Sequence, residues 1–161
     1  MRTISTVFTE STKGMPMLVN TRTVRIEWGD CDPAGIVFYP RYFEIFDACT
    51  HYLFERATGM HKRDMTNKYG ALGFPMVDTR ATFSIASRFG DEVEIATTIR
   101  EFRQSSFDVY HRLTKDGRLA VEGFETRVWV GHNADRLGAM RAAPVPAELV
   151  ALFANHAAPG G

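Results

Sequence analysis

The sequence predicts an α+β domain in which an antiparallel five-stranded sheet curls around one long helix. Two observations carry this. Between Pro40 and Gly59 the chain runs without a helix breaker and shows apolar residues around most of the helical circumference, so the rest of the chain must wrap around this helix. Downstream, four segments rich in β-branched and aromatic residues follow one another across short turns, which favours antiparallel neighbours. At 161 residues, 45% apolar and 24% charged, the chain has the size and composition of one globular domain with an unstapled core.

Residues 1–20 mix Thr, Ser and Gly with scattered apolar residues and read as a flexible N-terminal arm; Met15 and Met17 are candidate alternative starts. The folded domain is expected over residues 21–155. From Thr23 to Trp28 the run TVRIEW alternates, with Val24, Ile26 and Trp28 on one face, as a half-buried strand does. The next segment, GDCDPAGIVFYP, carries Gly29, Pro33, Gly35 and Pro40, which exclude both a long helix and an uninterrupted strand. It must be a shaped loop. Pro40 suits the first turn of the helix that follows. There Glu44, Asp47, His51 and Glu55 form one narrow polar stripe, and Tyr42, Ile45, Phe46, Cys49, Tyr52, Leu53 and Ala57 cover most of the remainder.

A connector containing MHKRDMTNKYG leads into the strand-forming segments MVDTRATFSIAS, DEVEIATTIREFR, SSFDVYHRLTK and RLAVEGFETRVWVGH. Asp116-Gly117 is a two-residue hairpin signal, and the short connections together imply a meander. A short amphipathic helix, PAELVALFANH, follows Pro144 and Pro146, and residues 156–161 read as a flexible tail. There is no internal repeat and no low-complexity tract.

Nineteen basic residues balance nineteen acidic ones, which leaves no net field to hold a nucleic-acid backbone or an anionic membrane surface. Any phosphate recognition therefore rests on local arginines. Cys31 and Cys49 are too few for a disulfide framework and lack zinc-site spacing, no apolar run approaches the ~18 residues of a membrane span, and the start MRTISTVFTESTKG has no secretory apolar region. These features predict a cytoplasmic protein without nucleic-acid or membrane partners. His51, His111 and His132 do not pair at metal-ligand spacing, and no metal is assigned.

The stretch EWGDCDPAGIVFYPRYFEIFDA resembles the signature region of the 4-hydroxybenzoyl-CoA thioesterase family. The similarity continues through GFPMVDTRATF, GDEVEIATTIREFRQSSF and ETRVW to PVPAEL, from about Thr23 to Leu149. It implies the hotdog fold, hydrolysis of an aromatic acyl-CoA to the free acid and CoA, no cofactor apart from the CoA of the substrate, and homodimers or homotetramers with sites between subunits. It further implies Asp32 as the catalytic carboxylate, either nucleophile or general base, and the backbone N–H of Tyr39 as the donor to the thioester carbonyl. Independently of the family, the loop delivers a carboxylate and two glycines to the start of a buried helix, where free N–H groups favour negative charge. An Asp before Pro33 also suits a plain turn. Asp30 reads as turn-forming or supporting, and Cys31, flanked by two carboxylates, as structural.

For the phosphates of CoA, the pattern EFRQSS places Arg103 at a family contact, whereas Gln104 and Ser105 stand where founding members are basic. Counting back from Val145-Pro146 places Arg141 at a second contact, and Arg127 is a further candidate. Three rival readings keep the fold. A short-chain acyl-CoA or acyl-carrier thioesterase has a His shortly after the catalytic Asp, where Pro40 stands here. A hydratase needs an active-site His paired with a carboxylate, for which only His51 is available. A non-catalytic acyl-CoA-binding regulator usually carries a DNA-binding module, for which the arm is too short.

Overall fold

The computed structural model of the chain describes residues 16–133, 135 and 138–155; residues 1–15 of the expected arm and the tail expected over 156–161 lie outside the described residues. In chain order the elements are β1 (Val19–Arg25), a single 3-10 turn (Trp28–Asp30), α1 (Tyr39–Thr58), α2 (Lys62–Tyr69), β2 (Ala71–Gly73), β3 (Met76–Phe83), β4 (Glu92–Phe102), β5 (Ser106–Lys115), β6 (Arg118–Val128), β7 (Val130–His132), β8 (Met140–Ala142) and α3 (Ala147–Asn155).

Residues 17–20, expected in the arm, belong to the fold. Met17 and Leu18 are buried, and β1 pairs with β4 from Val19 onward. The strand also ends earlier, at Arg25, so Trp28 does not share the inward face of Val24 and Ile26 but stands exposed on the 3-10 turn. MHKRDMTNKYG is not a plain connector but contains α2, whose single buried residue is Met65.

The main sheet is antiparallel, in the order β1-β4-β5-β6-β3. Only β4, β5 and β6 form the expected meander. β3 lies at the far edge beside β6, and residues 84–91 carry the chain across the end of the sheet to β4. Along this crossing the N–H groups of Ser84 and Ile85 donate to Ala120 O, Val37 N–H donates to Ser87 O, and Gly90 N–H donates to Ile26 O. It is therefore tied to both the sheet and the loop before α1. The last expected strand breaks at buried Trp129, so β7 leaves the main sheet and joins β2 and β8 in a second, three-stranded one.

α1 lies on the concave face of the main sheet. At Gly123 in β6 an added Cβ would stand 2.6 Å from the Phe46 ring, so only glycine lets the helix approach this closely. Around the helix the core divides in two. One cluster, with Phe46, Tyr42, Val37, Ile95 and Leu113, surrounds its N-terminal half. The other, with Phe54, Leu53, Phe107, Trp129 and Phe153, surrounds its C-terminal half. Between them runs a buried polar seam of Thr50, Thr97, His111, Glu125 and Arg127.

Candidate active site

The loop before α1 is closed twice at its base. Phe38 N–H donates to Asp30 O at 2.8 Å, and Cys31 bridges Val37 in antiparallel fashion. Asp30 also accepts the Glu27 N–H on Oδ2 at 2.8 Å, so it shapes the turn at both ends of the loop. Within the loop, Asp32 N–H donates to Ile36 O, Gly35 N–H donates to Asp32 O, and Asp32 Oδ1 accepts the Ala34 N–H at 2.8 Å. Gly35, at φ +78°, makes the reversal that a Cβ would strain. The turn role of Asp32 is thus real, yet it engages one carboxylate oxygen and leaves Oδ2 without a hydrogen-bond partner among the described residues.

The helix start is arranged to match. Phe38 N–H is taken by Asp30 O, Pro40 has no N–H, and Arg41 N–H turns back to Phe38 O. This leaves the N–H of Tyr39 as the free donor of the first turn among the described residues, at the end where the helix dipole favours negative charge. Two cavities meet the loop at the consecutive residues Gly35 and Ile36. One, of about 450 Å³, is lined by Asp32 with Trp28, Cys31, Pro33, Gly35 and Phe89. The other, of about 270 Å³, is lined by Tyr39 and Tyr42 with Ile36, Val37, Phe83 and Ile85.

The arginines are not gathered at this end. Arg103 lies in the β4–β5 bend, where its guanidinium donates to both carboxylate oxygens of Asp108, at 2.8 and 2.6 Å, and to Glu101 at 3.2 Å. The hydrogen bonds that Arg103 donates to Asp108 raise its pKa further, and with two carboxylates against one cation the bend offers no net positive charge. Arg127 departs furthest from expectation. It is 3% exposed, with Nε donating to Glu125 Oε2 at 2.8 Å and Nη2 to Asp47 Oδ1 at 2.7 Å, so in the protomer it is a strut between sheet and helix rather than a surface group open to phosphate. Arg141, on exposed β8, keeps an unpaired guanidinium among the described residues.

The seam around Arg127 holds the groups that sequence reasoning missed. Glu125 accepts the Thr50 hydroxyl at 3.0 Å, and His111 Nε2 lies 3.4 Å from its Oε1, an electrostatic contact too poorly aligned to be a hydrogen bond. Burial alone would raise the Glu125 pKa, but His111 and Arg127 outweigh it and pull the carboxyl down to about 2. His51, on the polar stripe, sits 3.4 Å from Asp47; burial, reinforced by the Lys62 charge, lowers its pKa and keeps the ring neutral near pH 7. Strand alternation placed Glu125 and Arg127 on the inward face, a signal that could have flagged them. Among the described residues there is no cluster of His, Cys, Asp and Glu able to hold a metal ion, and no helix long and apolar enough to cross a membrane.

Chemically, a carboxylate with one free oxygen, on a loop that ends at an unpaired N–H at a helix start, can activate an acyl carbon and its attacker together. Known proteins carry the same frame. The 4-hydroxybenzoyl-CoA thioesterase of Pseudomonas sp. strain CBS-3 is 34% identical over 137 residues, 82% of this chain and 95% of that protein. Its three-dimensional structure superposes with a TM-score of 0.75, covering 83% of this chain and 98% of the other. The structure of a gentisyl-coenzyme A thioesterase, also 34% identical, gives a TM-score of 0.71 over 84% of this chain and all of that one. The thioesterase-like superfamily profile matches residues 26–153, from the residue after β1 through the loop, α1 and every later strand: the chain belongs to that family.

Proposed function

We propose that the chain is an acyl-CoA thioesterase that hydrolyses an aromatic acyl-CoA, such as 4-hydroxybenzoyl-CoA, to the free acid and CoA. The observation that carries this reading is the closed loop that leaves Oδ2 of Asp32 free and ends at the free N–H of Tyr39. Tyr39 N–H receives the thioester carbonyl oxygen as it gains charge, and Asp32 either attacks the acyl carbon or takes a proton from the attacking water. Either route ends with one water consumed, the C–S bond broken and the thiol of CoA released, without a further cofactor. The aromatic choice rests on the relatives, one named for 4-hydroxybenzoyl-CoA and one for gentisyl-CoA, and on the apolar cavity at Tyr39 and Tyr42. A 4-hydroxybenzoyl-CoA thioesterase 34% identical to this chain has been seen with 4-hydroxybenzoyl-CoA as an aspartate-to-asparagine variant, and the same kind of exchange tests this chain. Asp32→Asn should leave substrate binding in place and lower kcat by about 10²–10⁴; kcat near that of wild type would end the assignment. The two free thiols support a reducing, cytoplasmic setting.

The same reading includes a homodimer. β3 has no strand on its outer side among the described residues, and it exposes Met76, Val77 and Phe83. From Glu92, near the Asp32 loop, β4 runs about 33 Å to the Arg103 bend at ~3.3 Å per residue, so one protomer cannot bring Asp32 and these arginines to one substrate easily. Antiparallel pairing of β3 with a second β3 sets the Phe83 end of one copy, near Tyr42, against the Met76 end of the other, near its arginines. In this arrangement Arg141 is the main phosphate contact, and Arg103, already neutralised, a minor one. One preparation tests both points. It should sediment at about twice 18.1 kDa, and Arg141→Gln should raise KM for the CoA ester about 2- to 5-fold but not for its pantetheine analogue. A fully active 18.1 kDa species would overturn the dimer.

A further inference from the structure

We propose that Trp28 and Phe89 form the wall along which the pantetheine arm of CoA leaves the reaction centre, while the acyl group turns the other way into the cavity of Tyr39 and Tyr42. The inference rests on the thioesterase reading above and assigns two residues that the family resemblance did not. Trp28 is 77% exposed and Phe89 49%, yet the two are not scattered surface residues. Their rings meet edge to face at 5.8 Å, and both line the cavity that contains Asp32. The 84–91 crossing, tied to Ile26 at Gly90, is what holds Phe89 against Trp28.

The assignment follows from the place of the thioester. Its carbon must meet Asp32, which lines one cavity, and its oxygen must meet the N–H of Tyr39, which lines the other. The thioester therefore sits on the border, and its two substituents diverge. Exposure sorts them. Exposed Tyr39 and Phe83 flank the cavity at Tyr39, but buried Val37 and Tyr42 also line it, whereas no buried residue lines the Trp28 cavity. An acyl group gains from enclosure, but the long CoA arm must carry its phosphates back to solvent. Flat aromatic faces suit the methylenes and amide planes of that arm, and their contact needs no compensating charge.

Trp28 reports on this directly. The chain has two tryptophans, and Trp129 is buried, so a neutral collisional quencher such as acrylamide reads Trp28 in the unmodified protein. CoA and free pantetheine should shield the indole from quenching, and 4-hydroxybenzoate should not. Shielding by the acid alone would place the acyl group at this wall and overturn the proposal, as would no shielding by CoA at concentrations that inhibit turnover. In kinetics, Trp28→Ala should raise KM for the CoA ester about 5- to 10-fold, with a much smaller change for an S-methyl thioester that has no arm, and Trp28→Phe should recover most of the loss. Equal losses with both esters would also overturn it. The underlying reading is tested separately: an Asp32→Asn variant with undiminished kcat removes the reaction centre whatever Trp28 does, whereas an inactive Asp32→Asn with an unshielded Trp28 removes the wall alone.

Discussion

The two ends of α1 use the same residue types in opposite ways. At the C-terminal end Phe54 is 1% exposed and packs against Phe74, Phe107 and Phe153, with centroids 4.6 to 5.2 Å apart. At the N-terminal end Trp28, Phe38, Tyr39, Phe83 and Phe89 are all exposed. The first set spends its apolar area on folding. The second leaves it unspent beside a free carboxylate oxygen and a free N–H, which is the condition for binding something else. The N-terminal half also has its own core around Tyr42 and Phe46, which the polar seam of Thr50, Glu125 and Arg127 separates from the first, so the surface left for binding is the exposed set of rings alone.

This division sets the largest expected effect. Phe54→Ala should cost about 3–5 kcal/mol of stability, as a buried ring lost from a packed cluster does, while Phe89→Ala should stay within about 0.5 kcal/mol. Urea unfolding of both variants checks this. Comparable losses at the two sites would mean that the open end is also part of the stabilising core, and the comparison would fail.

The residues show why one end was easier to read than the other. The loop and α1 were legible because Gly29, Pro33, Gly35 and Pro40 interrupt the chain where Ile26 and Tyr42 still demand burial. α2 was not, since Met65 alone is buried and one anchor sets no period. The start of β1 was hidden by polar inward residues. Arg22 lies over the Tyr52 ring at 4.0 Å and donates to Cys49 Sγ, which also explains why Tyr52, expected in the core, stays partly exposed. The place of β3 was hidden because turn residues show where a chain bends and not which strand it bends toward. For the arginines, residue type and position suggested free cations. What decides their role is pairing, with Asp108 across the same hairpin for Arg103 and with Asp47, eighty residues away, for Arg127, and for Arg127 no local pattern carries that.

The seam gives the smaller and sharper effect, because its chemistry can be titrated without touching either aromatic cluster. Glu125 is 1% exposed at its side chain, and its pKa falls from 4.5 to about 2 in the folded chain. Burial opposes the shift, and the His111 and Arg127 interactions exceed that opposition. A depressed carboxyl binds its proton more weakly in the folded state than in the unfolded one, so its contribution is complete above about pH 4.5 and is lost as pH falls through about 2. At 1.36 kcal/mol per pKa unit this amounts to about 3 kcal/mol. Other carboxyls with depressed pKa values, such as half-buried Asp91 hydrogen-bonded by Lys115, also titrate in acid, so the measurement has to be a difference. Urea unfolding of wild type and Glu125→Gln across pH 6 to 2 should show the variant less stable at neutral pH but less sensitive to acid, the two converging toward pH 2 as Glu125 takes up its proton. Parallel acid dependences in the two proteins would mean that the seam is held by packing and by the Arg127–Asp47 pair alone, and that the boundary between the two cores does not depend on the Glu125 charge.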